Sequence, residues 1–325
     1  MSETDLLVEP LLQELEEDYD GLQVVAVGGG HGLSAALRAV LEYADAVTAI
    51  VTVADDGGSS GRIAPDLEIP PPGDIRRALL AMTDQPSLWR SLIEYRFSNS
   101  DVAGHSLGNL ILAAMAELGG GFGDAVDTVG RLLGARGAVV PVADERLELE
   151  ADVDGIVVRG QVAIALSRGM IADLRVTPDA AASRRALEAI GAADQIILGP
   201  GSLFTSIIAP LKVGGMAEAV SASEATLVYV SNLTTQDGET LGMSGIEHVE
   251  ALVGIGGIRT PDVAVAHEGP LDVPDGLEGI GFEPDQMSEA GIRLEVGDMA
   301  VVGADWPGHD AARLGALLRR LGPVD

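Results

Sequence analysis

Residues 24–62 constrain the fold more than any other stretch of the chain. They begin with Val24 to Val27, a short β-branched run without charge, as in a parallel strand buried on both faces. A glycine turn, G-G-G-H-G, then leads into a segment with apolar residues at helical spacing, a second apolar strand and an acidic loop, D-D-G-G-S-S-G-R. This order predicts half of a nucleotide-binding α/β unit.

The glycine turn has the chemistry of a phosphate site. Glycines remove side chains where the backbone bends, and the N-terminus of the next helix offers unpaired N–H groups and the positive end of its dipole. Gly30, Gly32 and Ala35 fit the G-x-G-x-x-G/A fingerprint, and Asp55 follows where a ribose-binding acid is expected. The alternative is a turn that only packs a helix on a strand. The predicted phosphate-binding residues are Gly28, Gly29, Gly30, His31, Gly32, Leu33 and Ser34.

Composition excludes several classes of function. The net charge is −30, from 50 acidic and 20 basic residues, and such a surface repels nucleic acid and anionic membranes. The absence of cysteine excludes disulfides, thiolate metal sites and a cysteine nucleophile. The chain has neither a run of eighteen apolar residues nor a basic leader. We expect a cytoplasmic protein with no nucleic-acid partner and no membrane insertion.

The pattern along the chain predicts one α/β domain over residues 21–325, after an acidic arm over 1–20 that is either a solvated tail or a partner-docking helix. Strands alternate with helices, which predicts a Rossmann-like, mainly parallel sheet with helices on both faces. Residues 137–177, including 155–166, show the apolar runs and the alternation that are typical of strands, with a hairpin turn at Asp154-Gly155. We expect them to form a small antiparallel insertion that covers the ligand crevice. The proline-rich stretch 65–73 predicts a loop.

The acidic loop adds further candidate ligands. Asp55 and Asp56 follow a strand and, in a loop, can both turn toward one ligand; oxygen ligands of this kind suit Mg²⁺ bound to phosphates. The alternative is a pair that stabilises a turn. The segment G-G-S-S-G-R can wrap phosphates with N–H donors and a guanidinium, or can be a flexible loop. Its candidate binding residues are Gly57, Ser59, Ser60 and Arg62.

Two predicted helices open with polar residues. Asp74 is expected to cap a helix. Of the two arginines that follow, Arg76 and Arg77, one is expected to pair with the acidic loop or with ligand phosphate, and Arg76 is assigned to the site; ordinary surface pairing is the alternative. His105 and Asn109 are four residues apart and therefore share a helix face. Either they face the crevice, or they form a helix cap in which the histidine makes its hydrogen bonds within the protein.

A second glycine turn follows a later buried strand and repeats the chemistry of the first. Two such turns suit a diphosphate better than either does alone. The loop Y-V-S-N-L-T-T-Q-D-G-E-T can read sugar or base hydroxyls, or can be a polar turn. No P-loop and no serine–histidine–acid triad can be assigned. The residues assigned to this side of the site are Gly199, Pro200, Gly201, Ser202 and Asn232.

Six segments in order resemble the gluconeogenesis factor (YvcK-type) group within the 2-phospho-L-lactate transferase (CofD-like) superfamily. They are V-G-G-G-H-G-L-S, V-A-D-D-G-G-S-S-G-R, P-P-G-D-I-R, H-S-L-G-N-L-I-L-A-A, G-P-G-S-L-F-T-S-I-I and S-N-L-T-T-Q-D-G-E-T. The resemblance implies a deep nucleotide crevice, a UDP-sugar ligand such as UDP-N-acetylglucosamine, and a role in carbon metabolism, cell-wall synthesis and cell shape. It also implies a homodimer. His31 stands where threonine is common, and Asp237 replaces a usual proline.

Three functions follow, in order of preference. The first is a non-catalytic cytoplasmic UDP-sugar-binding regulator, with phosphates on the two glycine turns and Asp55/Asp56 near the ribose or a Mg²⁺ ion. The second is the activity of the transferase relatives, which use Mg²⁺ to move a phospholactyl group onto the deazaflavin Fo in coenzyme biosynthesis. The third is an NAD-dependent dehydrogenase, ranked last because no histidine–acid pair for hydride transfer can be assigned.

Overall fold

A seven-stranded parallel sheet forms the centre of the computed structural model, which describes residues 21–84, 86–301 and 307–322. The acidic arm 1–20 lies outside the described residues. The strand order is β10-β9-β8-β7-β1-β2-β3, and every neighbouring pair is parallel. The strands are β1 Gln23–Gly28, β2 Ala46–Val51, β3 Ala138–Pro141, β7 Gln195–Leu198, β8 Thr226–Val230, β9 Val263–His267 and β10 Arg293–Gly297.

The strand order reverses direction beside β1. From β1 the chain moves outward through β2 to β3, then returns to β7 on the other side of β1 and moves outward again through β8 and β9 to β10. A crevice opens at such a reversal, outside the carboxyl ends of the strands. The loops after β1 and β7 therefore meet where open α/β sheets bind their ligands.

Helices cover both faces of the sheet, as predicted. Alternate residues of β1 enter different cores: Val25 and Val27 pack on one face, Val24 and Ala26 on the other. The helices are α1 Gly30–Val40, α2 Ser60–Leu67, α3 Pro72–Ala81, α4 Leu88–Glu94, α5 Leu107–Leu118, α6 Phe122–Leu133, α7 Gln161–Leu166, α8 Arg184–Ala192, the π-helix Leu203–Ile208, α9 Ala209–Leu211, α10 Met216–Ala222, α11 Gly245–Gly254, α12 Pro284–Glu289, α13 Ala311–Leu318 and the 3-10 turn Arg319–Leu321. None of the described helices is both long enough and apolar enough to span a bilayer.

The antiparallel sheet is smaller than its sequence suggested. Its strands are β4 Glu148–Val153, β5 Ile156–Arg159 and β6 Ile171–Thr177, in the order β5-β4-β6, and Asp154 and Gly155 form the hairpin turn with φ of 52° and 81°. The expectation that this insertion begins at 137 is wrong, because β3 pairs in parallel with β2 as the edge of the main sheet. The expected strand over 155–166 ends at Arg159, and α7 follows.

The prediction of one loop over residues 65–73, which was based on their prolines, is wrong. Pro65 lies inside α2, and Pro72 begins α3, where its missing N–H costs no hydrogen bond. Asp74 is therefore not the cap of α3 but its third residue, and it is buried.

A buried histidine on α11 gives the fold a pH dependence. His248 is fully buried; its Nδ1 lies 2.7 Å from the Tyr229 hydroxyl, and its Nε2 has no partner among the described residues. Burial lowers the pKa of His248 to about 4, and Glu247 opposes this only in part. The unfolded chain binds a proton below its own pKa of 6.5, whereas the folded chain does not until about 4.

Stability is therefore expected to fall as the pH drops from 6.5 toward 4. Between pH 7 and pH 5 this one group should remove about 2 kcal/mol from the free energy of unfolding. Urea titrations of the wild type and of His248→Gln at both pH values measure this, and the variant should lose about 2 kcal/mol less than the wild type. Equal losses in the two proteins would show that His248 does not carry the effect.

Candidate functional site

The two glycine turns touch each other. A β-carbon on Gly32 would lie 2.5 Å from the Pro200 carbonyl carbon and 2.8 Å from the Gly201 nitrogen, and closer still to the Pro200 carbonyl oxygen. A β-carbon on Gly201 would lie 3.6 Å from the carbonyl oxygen of Gly29. Glycine at position 32 thus lets two backbones approach within van der Waals contact. Segments about 170 residues apart in sequence form one site.

A cleft of about 640 Å³ opens beside this contact. Its walls are the first turn of α1, the second glycine turn, the loop after β8 and residues 307–309. The volume lies within the range of about 300–1,000 Å³ that is usual for small-molecule sites.

Arginines concentrate at this cleft although the chain is strongly acidic. Arg38, Arg77 and Arg90 line it, and Glu94 is the acidic residue among its lining residues. Arg90 is used by the fold, because it donates to the carbonyls of Leu80 and Thr83 at 2.7 and 2.6 Å. Arg77 pairs with Asp74 and Arg90 with Glu94, so Arg38 supplies the positive charge that favours an anionic ligand in a chain of net charge −30.

Arg38 is the arginine with the most freedom to meet a ligand. It is exposed on α1 and makes no hydrogen bond or ion pair with the other described residues. Exposed His31 lies seven residues earlier in α1, about two turns away on the same face of the helix. Partial desolvation first, and then the charges of Arg77, Arg38 and Arg76, lower the pKa of His31.

The start of α1 carries no side-chain cap. Its N-cap is Gly29, and no described side chain accepts a hydrogen bond from the cap position. The Gly30 N–H lies close enough to the buried carboxylate of Asp74 to lower the pKa of that group. The turn that was expected to bind phosphate thus lies at the cleft. Its residues in the cleft wall are Gly29, Gly30, His31, Gly32 and Ser34. Two of the predicted residues do not line the cleft, because Leu33 packs in the core and Gly28 ends β1.

Asp74 lies beneath this turn. A β-carbon on Gly29 would lie 2.6 Å from its Oδ2 atom, so glycine is needed there too. Burial and then the nearby carboxylate of Asp55 raise the pKa of Asp74, whereas the ion pair with Arg77 and the Gly30 N–H lower it. Asp74 joins the acidic loop to the phosphate turn.

The second glycine turn differs from the first because the chain itself uses its polar groups. The Gly201 N–H donates to the Asn232 side chain at 2.9 Å, and the Asn232 amide donates back to the Gly201 carbonyl at 2.7 Å. The Phe204 N–H and the Thr205 hydroxyl donate to the buried carboxylate of Glu239 at 3.1 and 2.6 Å. This turn, in which Gly199 and Pro200 are buried and Ser202 is half-buried, forms a rigid wall rather than a second set of free donors.

The carboxylates of Asp55 and Asp56 contact different parts of the chain. Asp55 accepts the Gly57 N–H at 2.9 Å and lies near Asp74, whereas Asp56 accepts the Val162 N–H at 3.0 Å and ties the start of α7 to the sheet. No cluster of three or more histidine, aspartate or glutamate side chains suited to a metal occurs in the described part of the chain. Asp55 with Asp74, rather than Asp55 with Asp56, is the carboxylate pair nearest the phosphate turn.

Four other predicted residues form a hydrogen-bonded chain beside the cleft. Arg76 Nε donates to Asn109 at 3.0 Å, Asn109 donates to the Ser59 hydroxyl at 3.2 Å, and that hydroxyl lies 3.2 Å from Nδ1 of His105. Burial, followed by Arg77, lowers the pKa of Arg76 to about 10. The network joins three sequence segments but does not line the cleft itself. Of the remaining predicted residues, Ser60 is buried next to Gly73, and exposed Arg62 donates to the Ala103 carbonyl at 3.0 Å.

Several cleft residues were not found from sequence. Arg38 carried a usable signal, because it lies seven residues after His31 and so on the same face of the helix. Arg77 was one of the two arginines expected at the start of α3, and it lines the cleft whereas the assigned Arg76 does not. No local signal distinguished the cleft residues Gln236 and His309. The same holds for Glu239, which bonds the second glycine turn and, like His309, depends on contacts distant in sequence.

Known proteins share this architecture. The family described as 2-phospho-L-lactate transferase CofD matches residues 24–279. The gluconeogenesis factor of Bacillus subtilis (strain 168) is 39% identical over 311 residues, covering 91% of this chain and 96% of that protein. The gluconeogenesis factor of Halalkalibacterium halodurans is 41% identical over 251 residues, covering 76% and 78%. A crystal structure of a UPF0052 family member from Bacillus halodurans gives a TM-score of 0.87 at 35% identity, covering 92% of this chain and 99% of that chain.

The matched segment contains both glycine turns, the acidic loop and the loop after β8. Sequence, fold and the relatives agree over most of the chain. The chain therefore belongs to the gluconeogenesis factor (YvcK-type) group of the CofD-like family.

Proposed function

We propose that this chain is a cytoplasmic, non-catalytic regulator that binds a nucleotide sugar such as UDP-N-acetylglucosamine. Through that ligand it links carbon metabolism during gluconeogenic growth to cell-wall synthesis and cell shape. The observation that carries the proposal is an arginine-lined cleft on the uncapped start of α1, at the reversal of strand order, in a chain of net charge −30. An acidic protein that concentrates cations there is suited to hold a phosphate-bearing ligand.

The cleft suggests how such a ligand lies. The diphosphate rests against the amides of His31 and Gly32, with Arg38 and Arg77 as its counter-charges. The nucleoside and sugar extend along the uncharged wall formed by the loop after β8. The second glycine turn shapes this wall and supplies none of the main phosphate donors.

Mg²⁺ is proposed only as a companion of the bound nucleotide. Asp55 and Asp74 suit it as oxygen ligands that share the ion with phosphate, and the ion would neutralise phosphate charge when bound. Asp56 remains the second predicted ligand, although its carboxylate already caps α7. We further propose a homodimer with no nucleic-acid partner, which light scattering with and without duplex DNA can test.

Calorimetric titration tests the proposal. UDP-N-acetylglucosamine, UDP-glucose, UDP, ADP-ribose and NAD are each titrated into the full chain, and the UDP-sugar samples are then analysed for hydrolysis. We expect saturable binding of at least one UDP-sugar, weaker binding of ADP-ribose and NAD, and an unchanged ligand after incubation. An absence of binding to every UDP compound would reject the proposal.

Arg38→Gln should weaken binding of the UDP-sugar by about 10-fold, because a charge-assisted contact to phosphate is lost while the exposed position limits its strength. Arg184→Gln is the matched control, since Arg184 is exposed on α8 and pairs with Glu188 away from the cleft. Its dissociation constant should equal that of the wild type. If both variants bind like the wild type, the ligand phosphates do not lie beside Arg38.

The transferase activity of the wider family is a second candidate, favoured by the neighbouring carboxylates of Asp55 and Asp74. Its test is incubation with the nucleotide diphosphate-linked phospholactyl donor, Mg²⁺ and Fo. Formation of the phospholactyl product would establish this activity. UDP-sugar binding without that product supports the regulator instead.

A further inference from the structure

The loop after β8, residues 231–240, is fixed to its surroundings at almost every polar side chain. Asn232 is bonded to the second glycine turn, and Thr235 exchanges two hydrogen bonds with the backbone of Glu278 at 2.8 and 3.0 Å. Asp237 accepts two hydrogen bonds from Arg168 at 3.0 and 2.7 Å. Glu239 is buried against the start of the π-helix. The loop is therefore preorganised before any ligand arrives.

Gln236 is the residue of this loop that holds a buried polar side-chain atom without a partner among the described residues. Its backbone is fixed, because its N–H donates to the Thr240 hydroxyl at 2.9 Å and its carbonyl accepts the Thr240 N–H at 3.0 Å. Gln236 is among the residues that line the cleft, and its Oε1 atom is buried and accepts a hydrogen bond from no described group. An unsatisfied buried acceptor is unfavourable, and a hydrogen bond from a bound donor removes that penalty.

The position of Gln236 separates it from the phosphate side of the cleft. The lining residues from this loop, Asn232, Leu233, Thr234 and Gln236, carry no charge, whereas Arg38 and Arg77 lie on α1 and α3. An amide suits the hydrogen-bonding edges of a neutral group. A half-turn about its terminal torsion exchanges oxygen and nitrogen, so the side chain can offer either group to a ligand.

We propose that Gln236 is a specificity-determining residue, which reads the neutral part of the ligand, its base or its sugar, through a hydrogen bond to a ligand N–H or O–H. This inference rests on the proposed function of the cleft. Its neighbours hold the loop still so that this one amide meets the ligand without further ordering. The cleft thereby separates two tasks: α1 and the arginines bind phosphate, and Gln236 selects what the phosphate carries.

Gln236→Met, with Gln236→Ala as a second variant, tests the inference against Gln286→Met, an exposed control on α12. Because the Gln236 Oε1 atom is buried without a partner among the described residues, Gln236→Met removes no hydrogen bond made by that atom and should melt at or above the wild-type temperature. Each protein is titrated with UDP-N-acetylglucosamine, UDP and inorganic pyrophosphate. We expect Gln236→Met to bind the UDP-sugar at least about 10-fold more weakly, while its affinity for pyrophosphate is unchanged.

The three probes distinguish the possible origins of the effect. A loss already present with UDP assigns the contact to the nucleoside, and a loss seen only with the UDP-sugar assigns it to the sugar; both support the proposal. Wild-type affinity of both Gln236 variants for the UDP-sugar would overturn it, as would an equal loss for pyrophosphate. Failure of the wild type to bind any UDP compound is a different result, which rejects the proposed function itself.

Discussion

Gly32→Ala should abolish ligand binding and lower the free energy of unfolding by about 3 kcal/mol or more. The added β-carbon would overlap the Pro200 carbonyl and lie 2.8 Å from the Gly201 nitrogen. All of these atoms belong to the backbone, so no side chain can rotate away. The two glycine turns must separate, which moves the phosphate turn relative to the opposite wall of the cleft. Urea unfolding and calorimetric titration with UDP-N-acetylglucosamine measure the two effects.

Gly191→Ala is the matched control. Gly191 lies in α8, and a β-carbon there would meet no atom within 4 Å. Alanine is the better helix former, so this variant should gain up to about 1 kcal/mol and bind the ligand like the wild type. If Gly32→Ala behaves like Gly191→Ala, the two turns do not form the rigid contact described above.

Glu239→Leu should be the second most damaging change, with a loss of about 3 kcal/mol of stability. It leaves the Phe204 N–H and the Thr205 hydroxyl buried without their acceptor, each at a cost of about 1–3 kcal/mol. It also releases the loop that holds Asn232 and Gln236, so the affinity for the UDP-sugar should fall at least about 10-fold through lost preorganisation.

Glu250→Leu controls for the change of residue type, because Glu250 is exposed on α11 and makes no side-chain hydrogen bond with the described residues. It should stay within about 0.5 kcal/mol of the wild type in urea unfolding. A Glu239→Leu variant as stable as Glu250→Leu would mean that the carboxylate does not hold the second turn.

Local patterns predicted the parts of the fold that depend on local physics. The uncharged β-branched run before Gly28 and the glycines after it indicated a buried strand and a turn, and both are present. The reversal of strand order between β1 and β7 then placed the two turns together. Their contact through Gly32 was not predictable, because it depends on how closely two backbones approach across the sheet.

The errors have equally physical causes. The apolar run of β3 suits either a parallel or an antiparallel sheet, so its pairing with β2 was decided by tertiary structure. β10 went unpredicted, since Arg293–Gly297 is an exposed edge strand without an apolar run. The segment 155–166 changes from strand to helix at Gly160, where a positive φ and the cap from Asp56 outweigh its β-branched residues.

In the candidate site, too, local features could be predicted from the sequence and contacts between distant segments could not. The glycine turn after β1 was predicted and lies at the cleft, whereas Asp74 and Asn232 were named without the contacts that they make. Glu239 was missed because its partners lie 34 and 35 residues away in sequence. No local pattern indicates that one carboxylate occupies the donors of a distant helix.

A crystal structure of the full chain with UDP-N-acetylglucosamine tests the central claim most directly. We predict both phosphates within hydrogen-bonding distance of the backbone nitrogens of His31 and Gly32, with the guanidinium of Arg38 or Arg77 against them. Phosphates bound instead at the network of Ser59, Arg76 and His105, or outside the cleft altogether, would contradict it.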